Sequence, residues 1–485
     1  MNRINRRECL VRMARGATGI LGGAALLQSH EVWSAGARGK RLNFVFILLD
    51  DMGWRDLACN GSEWYETPNI DRLASQGMRF TNAYAACPVC SPTRASIVFG
   101  VYPQRTGVTN FIPGSRAGRN SKLIEAPNTM QVALECVSIA EALKPAGYVC
   151  AEIGKWHLGG KGFNPVDQGF DTQFVTSGTH FKWNSIPPAK RQEGEYLADR
   201  LTDEGEKFIE ANKDKPFLLY LAHFAVHIPL EAKKEMLARW QGKVKPGLAQ
   251  NNPIYAAMIE SVDQSVARIV KKLEELGIAD RTVIFFMSDN GGLLVENRGG
   301  TPSTSNAPLR GGKGFLYEGG VREPLIVKGP GVKAGVVCET PVISMDFYPT
   351  MLELAGASRP SDYHLDGVSL VPLLRQSGRL KDRALYWHYP HYGNQGGKPG
   401  GAIRQGNWKL IEFYEDMHLE LYNLKDDIGE TRNLADKMMP EKARELRKRL
   451  EVWRKDVGAK MPTPNPAYDP TQPDEWGRPA ETSGR

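Results

Sequence analysis

The chain has 485 residues, 41% of them hydrophobic and 24% charged. That balance is ordinary for a globular protein and supplies a large core, with room for one big domain and a small one. The formal charge of +7 comes without a basic run of the length that nucleic-acid binding uses, so no nucleic-acid partner is expected. Seven cysteines lie at 9, 59, 87, 90, 136, 150 and 338, with neither metal-site spacing nor the density of a disulfide framework.

Residues 1–37 read as an export signal. Arg6-Arg7-Glu8-Cys9-Leu10 resembles a twin-arginine motif. The apolar run from Ala17 to Leu27 is too short to span a bilayer as a helix, and Ala35-Gly36-Ala37 offers a small-residue cleavage site. Export to the periplasm or beyond, in the folded state, follows from that reading, and no stable membrane insertion is expected. The segment carries five Arg against two Glu, so the rest of the chain is only mildly basic.

Leu42-Asn-Phe-Val-Phe-Ile-Leu-Leu49 reads as a strand buried on both faces, as in a parallel sheet, and it stops at Asp50-Asp51. Thr282-Val-Ile-Phe-Phe-Met287 repeats the pattern and stops at Ser288-Asp289-Asn290. Ligand sites form at the carboxyl ends of strands in open α/β sheets. Side by side, these strands bring Asp50, Asp51, Asp289 and Asn290 together. Three carboxylates in one site imply a cation, and an all-oxygen donor set implies a hard one, Ca²⁺ or Mg²⁺. Between the two strands, Cys90-Ser91-Pro92-Thr93-Arg94 opens a short helix. Unpaired backbone N–H groups there favour an anion, and Arg94 adds a planar cation one turn in. A buried thiol beside a salt-bridging arginine and a reactive thiolate both fit these residues. Cys87-Pro-Val-Cys90 is a Cys-x-x-Cys pair without a thioredoxin-like context.

Helices are expected over 67–77, from the capping box Ser138-Ile-Ala-Glu141, over 195–212 as an exposed helix, and over 252–276 as scaffold. The strand over 148–153 runs into Gly154-Lys155-Trp156-His157-Leu158-Gly159. In an extended segment Lys155 and His157 share a face, one to hold an anion and the other to act as a base. The strand over 216–222 leads to His223 and His227. A glycine-rich string from Ser303 to Pro324 carries Arg310, Lys313 and Arg322, and its glycines let backbone approach a ligand closely. From about residue 380 the texture changes to short strands, with a His388-Tyr-Pro-His391 loop and then a helix over 440–457. The last 25 residues hold six prolines, a disordered tail or an extended strap. The expected division is 38–378 for the main domain, 379–460 for a small α+β unit, and 461–485 for the tail.

Cys-x-Pro-x-Arg at 90–94, the two Asp-containing strand ends, Gly-Lys-Trp-His-Leu-Gly, the histidine before x-Pro at 227 and the 303–324 string are similar, in order, to the motifs of type I (formylglycine-dependent, arylsulfatase-like) sulfatases. The resemblance covers roughly 42–460. It implies an α/β alkaline-phosphatase-like fold: a large, mostly parallel sheet sandwiched by helices, plus a small C-terminal antiparallel sheet with one helix. It implies that a formylglycine-generating enzyme oxidises Cys90 to formylglycine (3-oxoalanine) before folding. It further implies that this group, with Asp50, Asp51, Asp289 and Asn290, holds one divalent ion, usually calcium. The formylglycine hydrate would attack sulfur. Arg94, Lys155 and Lys313 would balance charge, His227 with Lys313 would serve the leaving oxygen, and His157 would take the proton that expels sulfate. His223, Arg310, His388 and His391 are candidate substrate contacts, with structural roles as the alternative. Loops 107–130 and 176–195 are the expected readers of the substrate. The expected function is hydrolysis of a sulfate ester, on a sulfated carbohydrate or another anionic sulfated molecule. The rivals are a phosphate or phosphonate esterase of the same superfamily and a non-catalytic binder of sulfated glycans.

Overall fold

The apolar runs form the centre of one large sheet. The computed structural model describes residues 41–114, 120–294, 302–393 and 395–472; the segment 1–37, expected to be an export signal, and residues 473–485 of the tail lie outside them. In chain order the strands of this half of the molecule are β1 (Asn43–Leu49), β2 (Met78–Tyr84), β3 (Leu123–Ile124), β4 (Val149–Gly154), β5 (Thr172–Gly178), β6 (Trp183–Ile186), β7 (Phe217–Ala222), β8 (Thr282–Ser288), β9 (Arg322–Lys328), β10 (Val336–Cys338) and β11 (Val342–Ile343). The sheet runs β10-β2-β9-β8-β1-β7-β4-β5-β6, and β11 also pairs with β2. Its centre, β8-β1-β7-β4-β5, is parallel, while β9 and β6 run antiparallel to their neighbours.

Alternation along β1 explains why both faces are covered. Val45, Ile47 and Leu49 point to one face and pack with α3 (Leu197–Asn212) and α4 (Pro253–Glu275), which follow α1 (Pro68–Ser75) and α2 (Cys90–Phe99) in the chain. Phe46 points to the other face, where its ring meets Phe347 of α5 (Phe347–Ala355) edge-on at 5.0 Å. The helix expected to be exposed over 195–212 is instead amphipathic. Its Leu201, Phe208 and Ile209 are buried in the core, because those positions recur at helical spacing.

The C-terminal unit is the expected antiparallel sheet with one helix. It comprises β12 (Ala384–Tyr389), β13 (Gly400–Gln405), β14 (Trp408–Phe413) and β15 (Leu419–Asn423), paired in that order. Helix α6 (Pro440–Asp456) buries Ala443, Leu446, Leu450 and Trp453 against it. This sheet docks on the large one through a fully buried ion cluster. Lys409 of β14 lies 2.8 Å from Glu318 and 2.9 Å from Glu430. Glu318 also accepts from Arg322 at 2.6 Å and from the Tyr84 hydroxyl at 2.7 Å. The described part of the tail is a strap: β16 (Thr463–Pro464) pairs with β3. All of this lies in one compact unit, Ser34–Arg485. No helix among the described residues is long and apolar enough to cross a membrane.

Candidate active site

Register places the acidic strand ends together. Leu49 of β1 sits opposite Ser288 of β8, so Asp50 and Asp289 leave the sheet side by side. The backbone continues the ladder for one more residue: Asp50 N–H donates to Ala225 O and Asp289 N–H to Leu49 O, both at 3.0 Å. Cys90 is the first residue of α2. No side chain caps that helix, which leaves the positive end of its dipole at Cys90. Gly154 closes β4 at φ +127, and a Cβ there would lie 1.8 Å from Ala222 O. Gly154→Ala is therefore expected to cost more than about 3 kcal/mol, seen as a lower thermal midpoint. An unchanged midpoint would show that the strand end can shift.

The cluster is dense in charge. Lys155 Nζ sits 2.5 Å from Asp50 Oδ2, and Lys313 Nζ sits 2.7 and 2.8 Å from the two oxygens of Asp51. Arg94 donates from Nε to Asp289 Oδ2 at 2.8 Å, keeps Nη2 3.7 Å from Asp50, and also binds the Lys155 carbonyl. Asn290 Nδ2 donates to Asp51 Oδ1 at 2.8 Å. Three carboxylates thus meet three side-chain cations. That corrects the sequence argument, because neutrality alone does not demand a metal. The donor geometry does point to one. Among the described residues, Asp50 Oδ1 and Asn290 Oδ1 are buried without a hydrogen-bond partner, and one oxygen each of Asp50 and Asp289 lies with the Cys90 sulfur within 4.8 Å of one another. An all-oxygen set with unpaired acceptors fits a hard divalent ion.

The field sorts the protonation states. Burial opposes charge on Asp50, yet Lys155, His227, Arg94 and Lys313 hold its carboxyl well below the usual range. Burial and the charge of Asp50 push Asp289 up, against Arg94. Burial and Lys155 push the His157 imidazole well down. Burial and Lys313 push His227 down to about 4. His157 Nε2 faces the Ile112 carbonyl at 2.5 Å, which requires the proton on Nε2. Its Nδ1 lone pair is then left facing Cys90 Sγ at 3.3 Å. Lys155 and His157 do not share an extended face as expected. His157 has φ +59, so the chain turns there and sends Lys155 to Asp50 and His157 to Cys90.

The cluster forms the floor of a cleft of about 570 Å³, lined by Cys90, Lys155, His157, His227 and Lys313. Both expected specificity loops supply wall residues: Phe111 and Ile112 from one, Thr176–Gly178 from the other. Part of the second is not loop but the β5–β6 hairpin. Sequence reasoning missed the Ile112 carbonyl, Phe224 and Gln395; the hints were that Ile112 lies in an expected specificity loop and Phe224 between two flagged histidines.

Three of the candidate substrate contacts take the structural alternative. His223 is fully buried with Nε2 3.0 Å from Ser265 Oγ. Arg310 donates to Tyr422 and the Glu430 carbonyl and stacks on Tyr317. His388 is held between Tyr414 and the Lys460 carbonyl. None of the three is among the residues that line the cleft. His391 lines a neighbouring pocket, 2.9 Å from Thr109 Oγ1. Arg322 belongs to the ion cluster at the docking seam.

Known proteins match this architecture. The sulfatase family model matches residues 42–357, and the model for the C-terminal region of N-sulphoglucosamine sulphohydrolase matches 312–456. A sulfatase of Formosa agariphila is 34% identical over 472 residues, covering 81% of this chain and 84% of that protein. The human N-acetylgalactosamine-6-sulfatase is 36% identical over 375 residues, covering 71% of this chain and 68% of its own. A solved structure in complex with its substrate, D-glucosamine-2-N,6-O-disulfate, superposes with a TM-score of 0.72 at 25% identity, covering 86% of this chain and 98% of that one. The matched region contains every strand end that feeds the carboxylate cluster, and with it this chain belongs to the sulfatase family of sulfuric ester hydrolases.

Proposed function

We propose that the chain hydrolyses a sulfate ester on a carbohydrate. Cys90 is the precursor of a formylglycine, and Asp50, Asp51, Asp289 and Asn290 hold one divalent ion, Ca²⁺ in preference to Mg²⁺. The observation that carries the reading is the place of Cys90: first residue of a buried helix, beside the unpaired acceptors of the carboxylate cluster, facing the His157 lone pair. The carbohydrate assignment rests on relatives that act on sulfated sugars. The signal-like segment at 1–37 supports export by the twin-arginine route.

When bound, the ion supplies fixed positive charge, and the formylglycine hydrate supplies two geminal hydroxyls, one to attack sulfur and one to expel sulfate. The chain's own residues do the rest. Lys155 and Lys313 reach the cleft and offer ammonium donors to the sulfuryl oxygens. Arg94, without exposure, fixes the orientation of Asp289. His157 receives at Nδ1 the proton lost from the side chain at position 90, its ring locked by the Ile112 carbonyl. His227 sets Nδ1 on the Ile228 carbonyl at 2.6 Å and Nε2 3.5 Å from Asp51 Oδ2, which places its ring on the cleft wall with Lys313, whose ammonium carries the proton for the leaving oxygen.

The direct test is the mass of the tryptic peptide 80–94 from protein made in a host with formylglycine-generating activity. Loss of the Cys90 sulfur with gain of a carbonyl-reactive group is expected; an intact thiol sinks the mechanism. Comparing an aryl sulfate with an aryl phosphate separates a sulfatase from a phosphate or phosphonate esterase. Chelation is expected to abolish turnover and lower the thermal midpoint, with Ca²⁺ restoring both, since a ligand of the folded state at 100 times its Kd adds about 2.7 kcal/mol. Full activity after exhaustive chelation would remove the ion from the scheme.

A further inference from the structure

Asp51 has φ +66, a left-handed backbone that an aspartate tolerates only at some cost. It is also one of the proposed ion ligands, so something has to hold it there. Its own N–H makes only a long contact, 3.3 Å to Asp289 Oδ1. The firm ties come from below. Asp56, with no solvent exposure, accepts four hydrogen bonds. Oδ2 takes the Gly53 N–H at 2.7 Å and the Tyr255 hydroxyl at 2.6 Å. Oδ1 takes the Thr304 hydroxyl at 2.6 Å and the Gln250 amide at 2.9 Å. The Tyr255 oxygen also lies 3.2 Å from the Asp51 carbonyl, so one hydroxyl touches both the clamp and the strained residue.

These partners come from separate parts of the fold. Tyr255 sits in the first turn of α4, which is packed into the core. Thr304 opens the segment that leads to Lys313. Two residues on, Asn306 donates to the Gly292 carbonyl at 2.9 Å and to the Gly311 carbonyl at 3.2 Å. The turn is closed tightly over this layer: a Cβ on Gly53 would lie 2.4 Å from Asn306 Oδ1 and 3.0 Å from Asp56 Oδ2. A single buried carboxylate therefore anchors the Asp51 turn, the rigid helix behind it and the loop that carries Lys313.

We propose that Asp56 is a positioning residue for the ion centre, holding Asp51 in its left-handed turn through Gly53 and Tyr255 and tying that turn to the Lys313 loop through Thr304. It touches neither substrate nor ion. The proposal rests on the reading of Asp51 as an ion ligand. Partners that orient a ligand in this way typically set metal affinity by 10–100-fold.

The test is calorimetric titration of the chelator-stripped full-length protein with Ca²⁺ alone, on wild type, Asp56→Asn and Tyr255→Phe. Wild type is expected to bind one ion. Asp56→Asn puts an N–H₂ where an acceptor is needed and is expected to weaken the Ca²⁺ Kd about 10–100-fold, while kcat at saturating Ca²⁺ stays within about threefold. Tyr255→Phe keeps Asp56 and removes only the shared hydroxyl, and is expected to weaken Kd by about 3–10-fold. Wild-type Kd in Asp56→Asn overturns the positioning role while leaving the ion centre standing. If Asp56→Asn does not fold, an unchanged Kd in Tyr255→Phe overturns it equally. No Ca²⁺ binding by wild type overturns the ion centre itself, and the clamp with it.

Discussion

Cys90→Ala is expected to lower kcat/KM for sulfate esters by ~10³-fold or more while leaving the fold intact. The side chain at position 90 is the group in the cleft that faces a base whose lone pair is free, His157 Nδ1 at 3.3 Å. Removing it leaves the cations and the cleft in place but nothing to form a bond to sulfur. The residue is 2% exposed and small, so alanine vacates little volume and the thermal midpoint should move by no more than a degree or two. Cys90→Ser sharpens the test. One hydroxyl suffices to attack, but without a second there is no proton whose loss expels sulfate. A single stoichiometric burst followed by a stalled, sulfated enzyme is expected, visible as an 80 Da mass gain by the mass of one added SO₃ group (about 80 Da). Activity of Cys90→Ala within tenfold of wild type would end the mechanism.

Lys409→Met should give the largest loss of stability, about 3–5 kcal/mol, because it leaves two buried carboxylates sharing less positive charge. Lys409 is fully buried and bridges Glu318 and Glu430 across the seam between the two sheets. Arg322 still reaches Glu318, so Glu430 is the group left stranded. Adding Glu430→Gln to Lys409→Met should recover part of the loss. Burial, with the Glu318 charge beside it, raises Glu430 to about 7 despite Lys409. A folded value above the ordinary one near 4.5 means the folded state holds this proton more tightly. That contribution is full at acid pH and is lost as pH rises through about 7. The thermal midpoint of wild type should therefore fall more steeply between about pH 4.5 and pH 7 than that of Glu430→Gln, by about a degree or more per pH unit at the steepest point. Equal midpoints for Lys409→Met and wild type would show that the seam does not depend on the cluster.

What the sequence revealed, and what it hid, follows from the physics of each element. The runs at 42–49, 216–222 and 282–287 were legible because strands buried on both faces leave an unbroken apolar signature. Their terminal polar residues stood out for the same reason. β2, whose sequence is MRFTNAY, and the β5–β6 hairpin were hidden, since half-exposed strands at a sheet's flank mix polar and apolar residues. The turn at His157 was also hidden, because its left-handed backbone is imposed by contacts to Ile112 and Cys90 that lie far away in sequence. Proximity to a motif left the substrate reading open for His223, Arg310 and His388, and the structural alternative holds. Each sits beside a functional stretch, but its ring or guanidinium is directed into structural partners. Charge balance misled as well, since Lys155 and Lys313 lie on carboxylates far from them in the chain.

All ten residues of the helix that begins at Cys90 are buried. Under the proposed conversion of Cys90, the oxidising enzyme has to reach a peptide that the folded helix buries. Conversion and folding therefore compete for the same nascent polypeptide, and the loser is decided by rate. On that proposal, a molecule whose helix docks first keeps its thiol and stays inert. The active fraction of a preparation then records how long residues 87–99 stayed undocked. Slowing their folding, by lower temperature or by a destabilising change elsewhere, should raise the active fraction even as it lowers the total yield of folded protein.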